Sequence, residues 1–591
     1  MENSYQFLED QLKGDLPDFD EIIESYRQMI ISVSGWRKVF SISGDEEDAD
    51  GRISRADAYL CALIAYVYGS SVDNETIIVA RDGRNTGSMI SGCAVRILLA
   101  LGKKVAFLSI ASAPEIMAYS SQLEGASFFY ISASHNPIGH NGFKFGRDGG
   151  VYSSQTSADL IRRFSLFMKD PAILSKLQRL SKEVTSSQID QVLNDKDAHK
   201  RAALDAYYQL LIKTNRIDEK QKEALKVSKI GIIGELNGSA RAVSIDRELF
   251  ESLSLPYKSF NTLPGICVHP IVPEGENLDL CRNLLREEHL KEGSFVLGYV
   301  PDNDGDRGNI VYWDELQKKV VPLQAQELFA LISLIELTRA SQENEKLAIA
   351  VNGPTSLLVD NLCSRLGARV ERCEVGEANV VLRGEQLRKE GWCVPLVGEG
   401  SNGGIISYPC KVRDPMNTLL SIVNLLSDEN LFRKVTRLHQ SKPSLSIAVK
   451  ALEKRTITGS FSSKAKLKIK SNDYKRLKEN YIALFTSSFE KRRREMESEF
   501  GIHDWKLELT VKTECFRYRY DQEFEVEAKG GLKVLLYDSQ QRVSDFLWMR
   551  ASGTEPVFRI AVDAEGDDQK RHDDLLTWHR NLILSADKKS H

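Results

Sequence analysis

The first feature that can carry chemistry is a polar loop at residues 132–145. It contains Ser134 as a candidate nucleophile, with His135 next to it and Lys144 near its end. A serine hydroxyl reacts only with an activating base or a matched phosphoryl donor, and histidine and lysine can provide proton transfer and positive charge. The Asn-Pro and Asn-Gly pairs of this loop are also typical of an ordinary turn. The loop alone therefore leaves both interpretations open.

A second loop has aspartates at every second residue: Asp302, Asp304 and Asp306. Carboxylates at this spacing can converge on one hard divalent cation, for which oxygen ligands suit Mg²⁺. An EF-hand would need glycine and glutamate where Arg307 and Trp313 stand. The pattern also fits an aspartate-nucleophile phosphatase with Asp302 as nucleophile, or a solvated acidic turn.

The third loop, residues 398–404, is rich in glycine and contains Glu399 and Ser401. Glycines allow the backbone to approach a ligand closely, and these two side chains can bond to sugar hydroxyls. The same glycines can equally form a simple turn.

The fourth loop, residues 550–559, combines two arginines with hydroxyl side chains and a glycine. Guanidinium groups bind phosphate in a bidentate manner, and backbone N–H groups of such a turn can complete an anion site. The loop lacks the Gly-Lys-Ser/Thr of a Walker motif, which the sequence contains nowhere.

These loops must be positioned by regular elements, and a weak internal repeat predicts them. Segments 76–83, 229–238 and 346–353 each predict a short buried strand followed by a helix. Two of the helices are predicted at 88–101 and 356–366, where Gly102 and Gly367 end them. Further strands are predicted at 104–110 and 369–373.

An apolar strand precedes each of the first three loops, at 127–131, 295–300 and 393–397. Alternating strands and helices predict parallel sheets covered by helices. Ligands of such sheets bind beyond the carboxyl ends of the strands, which is where the three loops are placed.

The last part of the chain has a different pattern. Strands are predicted at 531–538, 546–550 and 557–563, and a helix at 567–584. They indicate a smaller α+β domain. Two polar helical stretches, 153–214 and 472–499, are interpreted as solvent-facing scaffold.

Composition limits the class of protein. The formal charge of −4 over 591 residues argues against a nucleic-acid-binding surface, and the longest apolar runs are too short to span a bilayer. Residues 1–20 lack the pattern of a secretory signal, and nine scattered cysteines are typical of reduced thiols. We therefore expect a cytoplasmic protein.

Taken together, the four loops resemble the α-D-phosphohexomutase family of phosphoglucomutases, phosphomannomutases and phosphoglucosamine mutases. The resemblance begins at Ser-Gly-Trp-Arg, residues 34–37, and extends to Arg559. It implies three α/β/α sandwich domains plus a C-terminal α+β phosphate-binding domain around a central cleft. The expected domains are 1–200 with the serine loop, 201–321 with the metal loop, 322–440 with the sugar-binding loop, and 441–591.

The resemblance also implies roles for individual residues. Ser134 would carry the phosphoryl group and join three aspartates around one Mg²⁺ per chain: Asp302, Asp304 and Asp306. Arg37 and Lys144 would assist proton transfer or stabilise charge, and His135 is a further catalytic candidate because of its residue type and its place beside Ser134. The implied substrate-binding residues are Glu399, Ser401, Arg550, Ser552, Gly553, Thr554 and Arg559. Arg307, directly after the acidic loop, is a further candidate that could neutralise phosphate charge.

Two positions depart from the family pattern. Ser132 stands where the family usually has threonine, and Asn402 and Gly403 stand where it often has glycine and histidine. The missing histidine leaves the sugar specificity open.

The implied activity is interconversion of hexose 1-phosphate and hexose 6-phosphate, with glucose or mannose as the hexose. It would proceed through a phosphoserine and a bisphosphate, with hexose 1,6-bisphosphate as activator. The alternatives are a phosphoglucosamine mutase, an aspartate-nucleophile phosphatase and a non-catalytic sugar-phosphate sensor. The expected partners are small sugar phosphates, without nucleic acid or membrane, and the chain is expected to be a monomer or homodimer.

Overall fold

A computed structural model describes residues 7, 9–33, 35–438, 442–460, 462–518, 525–528, 530–551 and 557–590. The chain forms two compact units. The first unit comprises Met1–Leu323 and Pro409–Ser427, and the second comprises Gln324–Tyr408 and Asp428–His591. The four domain boundaries expected from the sequence stay a prediction.

The elements of the first half are, in chain order, α1 Phe19–Arg27, β1 Ile30–Ser32, β2 Gly35–Val39, α2 Arg55–Gly69, β3 Thr76–Arg81, α3 Gly87–Ala100, β4 Lys104–Ile110, α4 Ala113–Gln122, β5 Ala126–Ile131, β6 His140–Arg147, β7 Gly150–Val151, α5 Ser154–Phe167, α6 Ala172–Glu183, α7 Ser186–Thr214, α8 Glu219–Ser228, β8 Gly231–Glu235, α9 Asp246–Ser252, β9 Tyr257–Phe260, α10 Asp279–Lys291, β10 Phe295–Pro301, β11 Gly308–Asp314 and β12 Lys319–Pro322.

The elements of the second half are α11 Ala325–Ala340, β13 Ala348–Asn352, α12 Leu358–Leu366, β14 Arg369–Cys373, α13 Glu377–Lys389, β15 Leu396–Glu399, β16 Gly404–Ser407, α14 Pro415–Ser427, α15 Glu429–Thr436, α16 Leu445–Lys450, β17 Arg455–Ile457, β18 Lys466–Lys468, α17 Tyr474–Phe500, β19 Asp504–Val511, β20 Glu514–Tyr518, β21 Gly531–Tyr537, β22 Val543–Ala551, β23 Val557–Glu565 and α18 Gln569–Lys589.

The first sheet has the strand order β1-β2-β6-β5-β3-β4, with β7 paired to β6. Strand β3 lies between β4 and β5 and is parallel to both, whereas β6 is antiparallel to β5. Helices α2 and α3 are buried along most of their length because their sequences are apolar on nearly every side. The central strands are buried on both faces, as parallel strands usually are.

Helices α5, α6 and α7 form the helical stretch that was expected to be solvent-facing scaffold. The structure contradicts this expectation, because each helix packs on the first sheet or its helices. Phe164 of α5, Leu177 of α6 and Tyr207 of α7 have no exposed surface. Helix α7 begins with a capping box between Thr185 and Gln188, which satisfies its first backbone donors.

The second sheet of the first unit has the order β12-β11-β10-β8-β9. Strand β8 is parallel to β9 and β10, and β11 and β12 return antiparallel. Helix α10 covers this sheet, and helix α14 packs on α7 and α8.

The third sheet, in the second unit, has the order β14-β13-β15-β16 and repeats this plan of parallel strands with one antiparallel edge. The fourth sheet, β17-β23-β22-β21-β19-β20 with β18 on β23, is antiparallel. Helices α17 and α18 pack together in the core of this domain.

Helix α17 was also expected to be solvated scaffold, and this too is wrong. One face of the helix carries large side chains that are buried in the core of the fourth sheet: Leu477, Tyr481, Phe485, Phe489 and Met496. Most of its charged side chains lie on the other face, although Lys478 is buried. Because charged residues outnumber the apolar ones, composition alone does not reveal the apolar stripe.

The predicted fold class is confirmed: three sheets with parallel cores are packed with helices, and a smaller α+β domain follows. None of the helices in the described part of the chain is long and apolar enough to cross a membrane.

The packing of α17 predicts the effect of Phe485→Ala. The Phe485 ring centroid lies 4.9 Å from that of Trp505 and 4.8 Å from that of Trp578. We expect the substitution to lower the free energy of unfolding of the fourth-sheet domain by about 3–5 kcal/mol, because it leaves a cavity in an aromatic core. Denaturant titration followed by tryptophan fluorescence measures the change. The exposed substitution Lys491→Ala on the same helix is the control, and equal losses for both variants would contradict the packing.

Candidate active site

Ser134 lies in the loop between β5 and β6. It is buried, with 6% of its surface exposed, and its backbone has φ of +53°. This left-handed conformation is uncommon for a residue with a side chain. The Ser134 N–H donates a hydrogen bond of 2.8 Å to Ser132 Oγ, which helps to stabilise the turn.

The acidic loop lies between β10 and β11. Asp302, Asp304 and Asp306 are all buried, and each offers a carboxylate oxygen within 4.8 Å of the others. Gly305 has φ of +68°, and a Cβ atom at this position would lie 2.4 Å from Arg241 Cδ. The alternating aspartates can therefore converge only because a glycine occupies the turn between them.

The first unit brings the serine loop and the acidic loop into contact. Ser134 Oγ donates a hydrogen bond of 2.9 Å to Asp302 Oδ2. Lys144 Nζ donates to Asp304 Oδ2 at 2.6 Å and to Asp306 Oδ2 at 3.4 Å. Ser132 Oγ donates to Asp304 Oδ2 at 3.1 Å. A serine hydroxyl thus lies beside a buried cluster of carboxylates and a lysine.

Two arginines complete the charge balance of this site. Arg307 Nη2 donates to Ser134 Oγ at 3.4 Å, and Arg413 Nη2 donates to Asp306 Oδ2 at 2.8 Å. Sequence analysis did not identify Arg413, which lies in the segment Pro409–Ser427. One further hydrogen bond holds this segment in place. The Tyr207 hydroxyl donates a hydrogen bond of 2.8 Å to Oδ1 of Asp414, the residue directly after Arg413.

Two other predicted residues border the serine. Arg37 Nη1 donates to Asn136 Oδ1 at 3.0 Å, so it contacts the serine loop from β2. His135 is half-buried, and desolvation followed by Arg307 and Arg37 holds the pKa of its imidazole well below the usual value. The imidazole is therefore uncharged near neutral pH.

Burial and charge act on the acidic groups in opposite directions. Burial, followed by the neighbouring carboxylates, raises the pKa of Asp302 to about 8. Burial also opposes ionisation of Asp306, but Arg413, Lys144 and Arg307 outweigh it and hold the pKa of Asp306 below its usual value. For Lys144, burial would lower the pKa, and Asp304 with Asp306 reverses this effect and raises the pKa.

The donor set fits a hard divalent cation. Asp304 Oδ1 and Asp306 Oδ1 are buried and accept no hydrogen bond from the part of the protein that the structure describes. Buried carboxylate oxygens normally have a partner, and oxygen ligands of this kind suit Mg²⁺. The site residues that could hold a metal are therefore the three aspartates, with Ser134 Oγ adjacent to Asp302.

In the second unit, the sugar-loop residues are linked to one another at the end of β15. Glu399 Oε1 accepts hydrogen bonds from Asn352 Nδ2 at 3.2 Å and from the Gly376 N–H at 2.9 Å. Asn352 Nδ2 also donates to Ser401 Oγ at 3.1 Å. Asn402, which replaces the family pattern, donates from Nδ2 to Glu399 Oε2 at 3.3 Å. Asn402 thus helps to orient the Glu399 carboxylate.

The fourth loop lies in the second unit as well. Arg550 and Arg559 are directly opposed on β22 and β23, and Lys466 on β18 is opposed to Arg559. Directly opposed residues share one face of a sheet, and like charges there repel unless an anion or acid balances them. Glu374 provides one acid, with Oε1 lying 2.5 Å from Arg550 Nε. The predicted residues Ser552, Gly553 and Thr554 lie outside the described residues.

The structure thus groups the predicted residues by unit. Seven of them lie together in the first unit around Ser134: Arg37, His135, Lys144, Asp302, Asp304, Asp306 and Arg307. Glu399 and Ser401 form a second group, and Arg550 and Arg559 a third, both in the second unit. Sequence reasoning missed Ser132 as a contact of the acidic loop and also missed Arg413. The charged residues Lys411, Arg413 and Asp414, shortly after β16, were the signal that could have indicated Arg413.

Two parts of the chain match family models. Residues 42–165 match phosphoglucomutase/phosphomannomutase α/β/α domain I, and residues 325–445 match α/β/α domain III. The first match contains the serine loop, and the second contains Glu399.

Individual relatives extend the similarity. A phosphoglucosamine mutase from Bacillus cereus is 35% identical over 373 residues, which cover 61% of this chain and 72% of the relative. A phosphoglucosamine mutase from Natranaerobius thermophilus is 26% identical over 404 residues, which cover 67% of this chain and 80% of the relative. The open form of the phosphoglucomutase pp63/parafusin from Paramecium has a similar fold, with a TM-score of 0.61, 14% identity and 95% of each chain covered.

The buried carboxylates predict the effect of Asp304→Asn on cation binding. We expect it to weaken Mg²⁺ binding by more than about 10-fold. Removing a residue that only supports a metal ligand already costs about 10-fold in affinity, and Asp304 is proposed as a ligand itself. Isothermal titration calorimetry of the protein with MgCl₂ measures the affinity. Asp314→Asn replaces another buried aspartate, one that caps a turn after β11, and should leave the affinity unchanged. Equal affinities for wild type and Asp304→Asn would contradict the assignment.

Proposed function

Because the chain belongs to the α-D-phosphohexomutase family, whose members are intramolecular phosphotransferases, we propose that it interconverts a hexose 1-phosphate and the hexose 6-phosphate through a phosphoserine at Ser134. The observation that carries the proposal is the 2.9 Å hydrogen bond from Ser134 Oγ to Asp302 within the buried acidic cluster. A reactive hydroxyl, candidate metal ligands and cationic side chains occur together there.

The proposed reaction starts from an enzyme that carries phosphate on Ser134. A hydroxyl of the sugar monophosphate forms a bond to this phosphorus while the bond from phosphorus to Ser134 Oγ breaks. The sugar becomes a bisphosphate, and the proton lost by its hydroxyl balances the proton that Ser134 regains. The bisphosphate then turns around, and its other phosphate returns to Ser134 by the reverse step.

The residues of the first unit would stabilise charge in this transfer. Phosphate-monoester cleavage is among the slowest uncatalysed reactions, and its catalysis depends mainly on positioning and on neutralising the phosphoryl oxygens. Arg307 donates a hydrogen bond to Ser134 Oγ, and Lys144 donates one to the carboxylate of Asp304. Both cations can therefore approach phosphoryl oxygens attached to the serine. Arg37 and His135 border the loop and are proposed to assist proton transfer.

One Mg²⁺ per chain is proposed to be held by Asp302, Asp304 and Asp306 together with the Ser134 oxygen or its phosphate. When bound, it supplies positive charge to the phosphoryl group. Hexose 1,6-bisphosphate is the proposed activator, because it can load phosphate onto an unmodified Ser134. Such loading is needed whenever the phosphoserine is lost to water.

The second unit is proposed to recognise the substrate. Glu399 and Ser401 would bond to sugar hydroxyls, and Asn402 would set the orientation of Glu399. Arg550 and Arg559, with Ser552, Gly553 and Thr554, would bind the phosphate that does not react. A separate phosphate site is required because the sugar is held in two orientations during one cycle.

Glucose and mannose phosphates are the proposed substrates. Phosphoglucosamine mutase is the second candidate, and the names of the two curated relatives favour it. The three sugars differ only at C2. The proposed contacts bind the phosphate and the other hydroxyls, so they do not discriminate between these sugars. Measuring kcat/KM for glucose 1-phosphate, mannose 1-phosphate and glucosamine 1-phosphate, with the matching bisphosphate and Mg²⁺, decides between them. A preference for glucosamine 1-phosphate of about 10-fold or more, equal to about 1.4 kcal/mol, would favour the second candidate.

Replacement of the proposed nucleophile tests the reaction class. We expect Ser134→Ala to lower mutase turnover by at least about 10⁴-fold, because the covalent route is removed while binding remains. A coupled assay of hexose 6-phosphate measures this turnover, and intact mass measures the phosphate on the protein.

The control is Ser333→Ala, at a buried serine on α11. It should retain wild-type turnover. An aspartate-nucleophile phosphatase would keep its activity in Ser134→Ala, and a sugar-phosphate sensor would bind the three sugar phosphates without turnover in either variant. Either result would contradict the proposal.

A further inference from the structure

Arg84, in the turn after β3, is fully buried and has no assigned role. Its guanidinium group donates hydrogen bonds to four backbone carbonyls of the serine loop. Nη2 donates to the Ser134 carbonyl at 2.8 Å and to the Asn136 carbonyl at 2.6 Å. Nη1 donates to the His140 carbonyl at 3.0 Å and also to the Pro137 carbonyl. The loop that carries the proposed nucleophile is therefore folded around this side chain.

Asp82 holds Arg84 in place from the same turn. Arg84 Nε donates to Asp82 Oδ2 at 3.1 Å, and the Arg84 N–H donates to Asp82 Oδ1 at 3.0 Å. Both side chains have no exposed surface. Burial raises the pKa of Asp82, and the Arg84 charge opposes that rise. The pair is thus a buried ion pair anchored at the end of a central strand.

All five N–H groups of the Arg84 side chain have an acceptor. One is used by Asp82 and four by the loop carbonyls. Five donors in a rigid planar fork are unique to arginine, because lysine offers three donors on one atom. A lysine here would leave at least two of the five acceptors without a donor, which would destabilise the loop conformation.

We propose that Arg84 is a positioning residue for phosphoryl transfer, which holds Ser134 in its left-handed conformation and directs Oγ towards Asp302. The inference rests on the proposed function. Ser134 has φ of +53°, a conformation that persists only where the surroundings enforce it. Arg84 contacts the carbonyl of this residue and those of three later residues in the same loop. Arg84 itself makes no contact with the acidic cluster among the hydrogen bonds described above.

Arg84→Lys tests this role. We expect kcat for the sugar 1-phosphate to fall about 100-fold, because a displacement of a reacting group by about 1 Å can cost this much. KM should stay within about 3-fold and Mg²⁺ affinity should not change, since the three aspartates and the substrate-binding residues are intact. Rapid-quench measurement should show the same loss in the rate at which glucose 1,6-bisphosphate phosphorylates Ser134.

The matched control is Arg455→Lys. Arg455 also forms a buried ion pair, with Asp563, and donates to one backbone carbonyl, that of Ser544. The substitution removes a guanidinium group from a buried ion pair in the second unit. It should therefore lower the free energy of unfolding without lowering kcat. All rates are expressed per folded protein, measured by circular dichroism.

The outcomes separate the inference from the proposed function. If Arg84→Lys keeps kcat within about 3-fold of wild type, raises only KM, or loses no more kcat than Arg455→Lys, the positioning role is overturned. If Arg84→Lys does not fold, Asp82→Asn replaces it in the same comparison, with an expected kcat loss of about 10-fold. Wild-type protein that turns over none of the three sugar 1-phosphates would overturn the proposed function and the inference with it.

Discussion

Three carboxylates within 4.8 Å of one another are buried in the first unit, and their mutual repulsion is the constraint on which the rest of this site depends. In a medium of low dielectric constant, such a cluster is stable only with positive charge close by. Lys144, Arg307 and Arg413 provide that charge from three separate segments of the chain. Asp304 Oδ1 and Asp306 Oδ1 are buried and accept no hydrogen bond from described residues, so they are the acceptors available to one more cation.

The fold brings positive charge to the carboxylates by placing loops from the ends of different strands next to one another. The serine loop follows β5, and the acidic loop follows β10 in a different sheet. Arg413 comes from a segment much later in the chain, and helix α14 of that segment packs on α7 and α8 in the first unit. Tyr207 of α7 connects this arrangement, because its hydroxyl donates to Asp414 and accepts from Arg241 Nη1 at 2.8 Å. The helical stretch 153–214 therefore supports the site.

In the second unit, positive side chains lie next to one another. Arg550, Arg559 and Lys466 lie in one row across three strands of the fourth sheet, where they repel one another. Glu374 offsets part of this charge, and Thr510 Oγ1 and the Gly531 N–H donate to its other oxygen at 3.1 Å and 2.6 Å. This row is suited to an anion such as phosphate, in agreement with the role that the family resemblance implies.

Much of the architecture was determined by the sequence alone, because local patterns specify strands and their ends. The predicted strands 104–110 and 369–373 coincide with β4 and β14, and the helix predicted to end before Gly367 does so, with that glycine at φ of +65°. Apolar runs and glycine stops act over a few residues, so they can be recognised without the tertiary structure. The spacing of Asp302, Asp304 and Asp306 is local in the same sense.

Only the tertiary structure decided which residues from distant segments surround these loops. The sequence does not show that Arg413 meets Asp306 or that Arg84 binds carbonyls of the serine loop, because these partners lie far from the two arginines along the chain. The same holds for the buried faces of α5 to α7 and α17, whose charged composition hid the apolar stripe that packs in the core. A charge placed against a buried carboxylate, or a guanidinium inside a loop, is a consequence of three-dimensional packing and cannot be seen from neighbours in sequence.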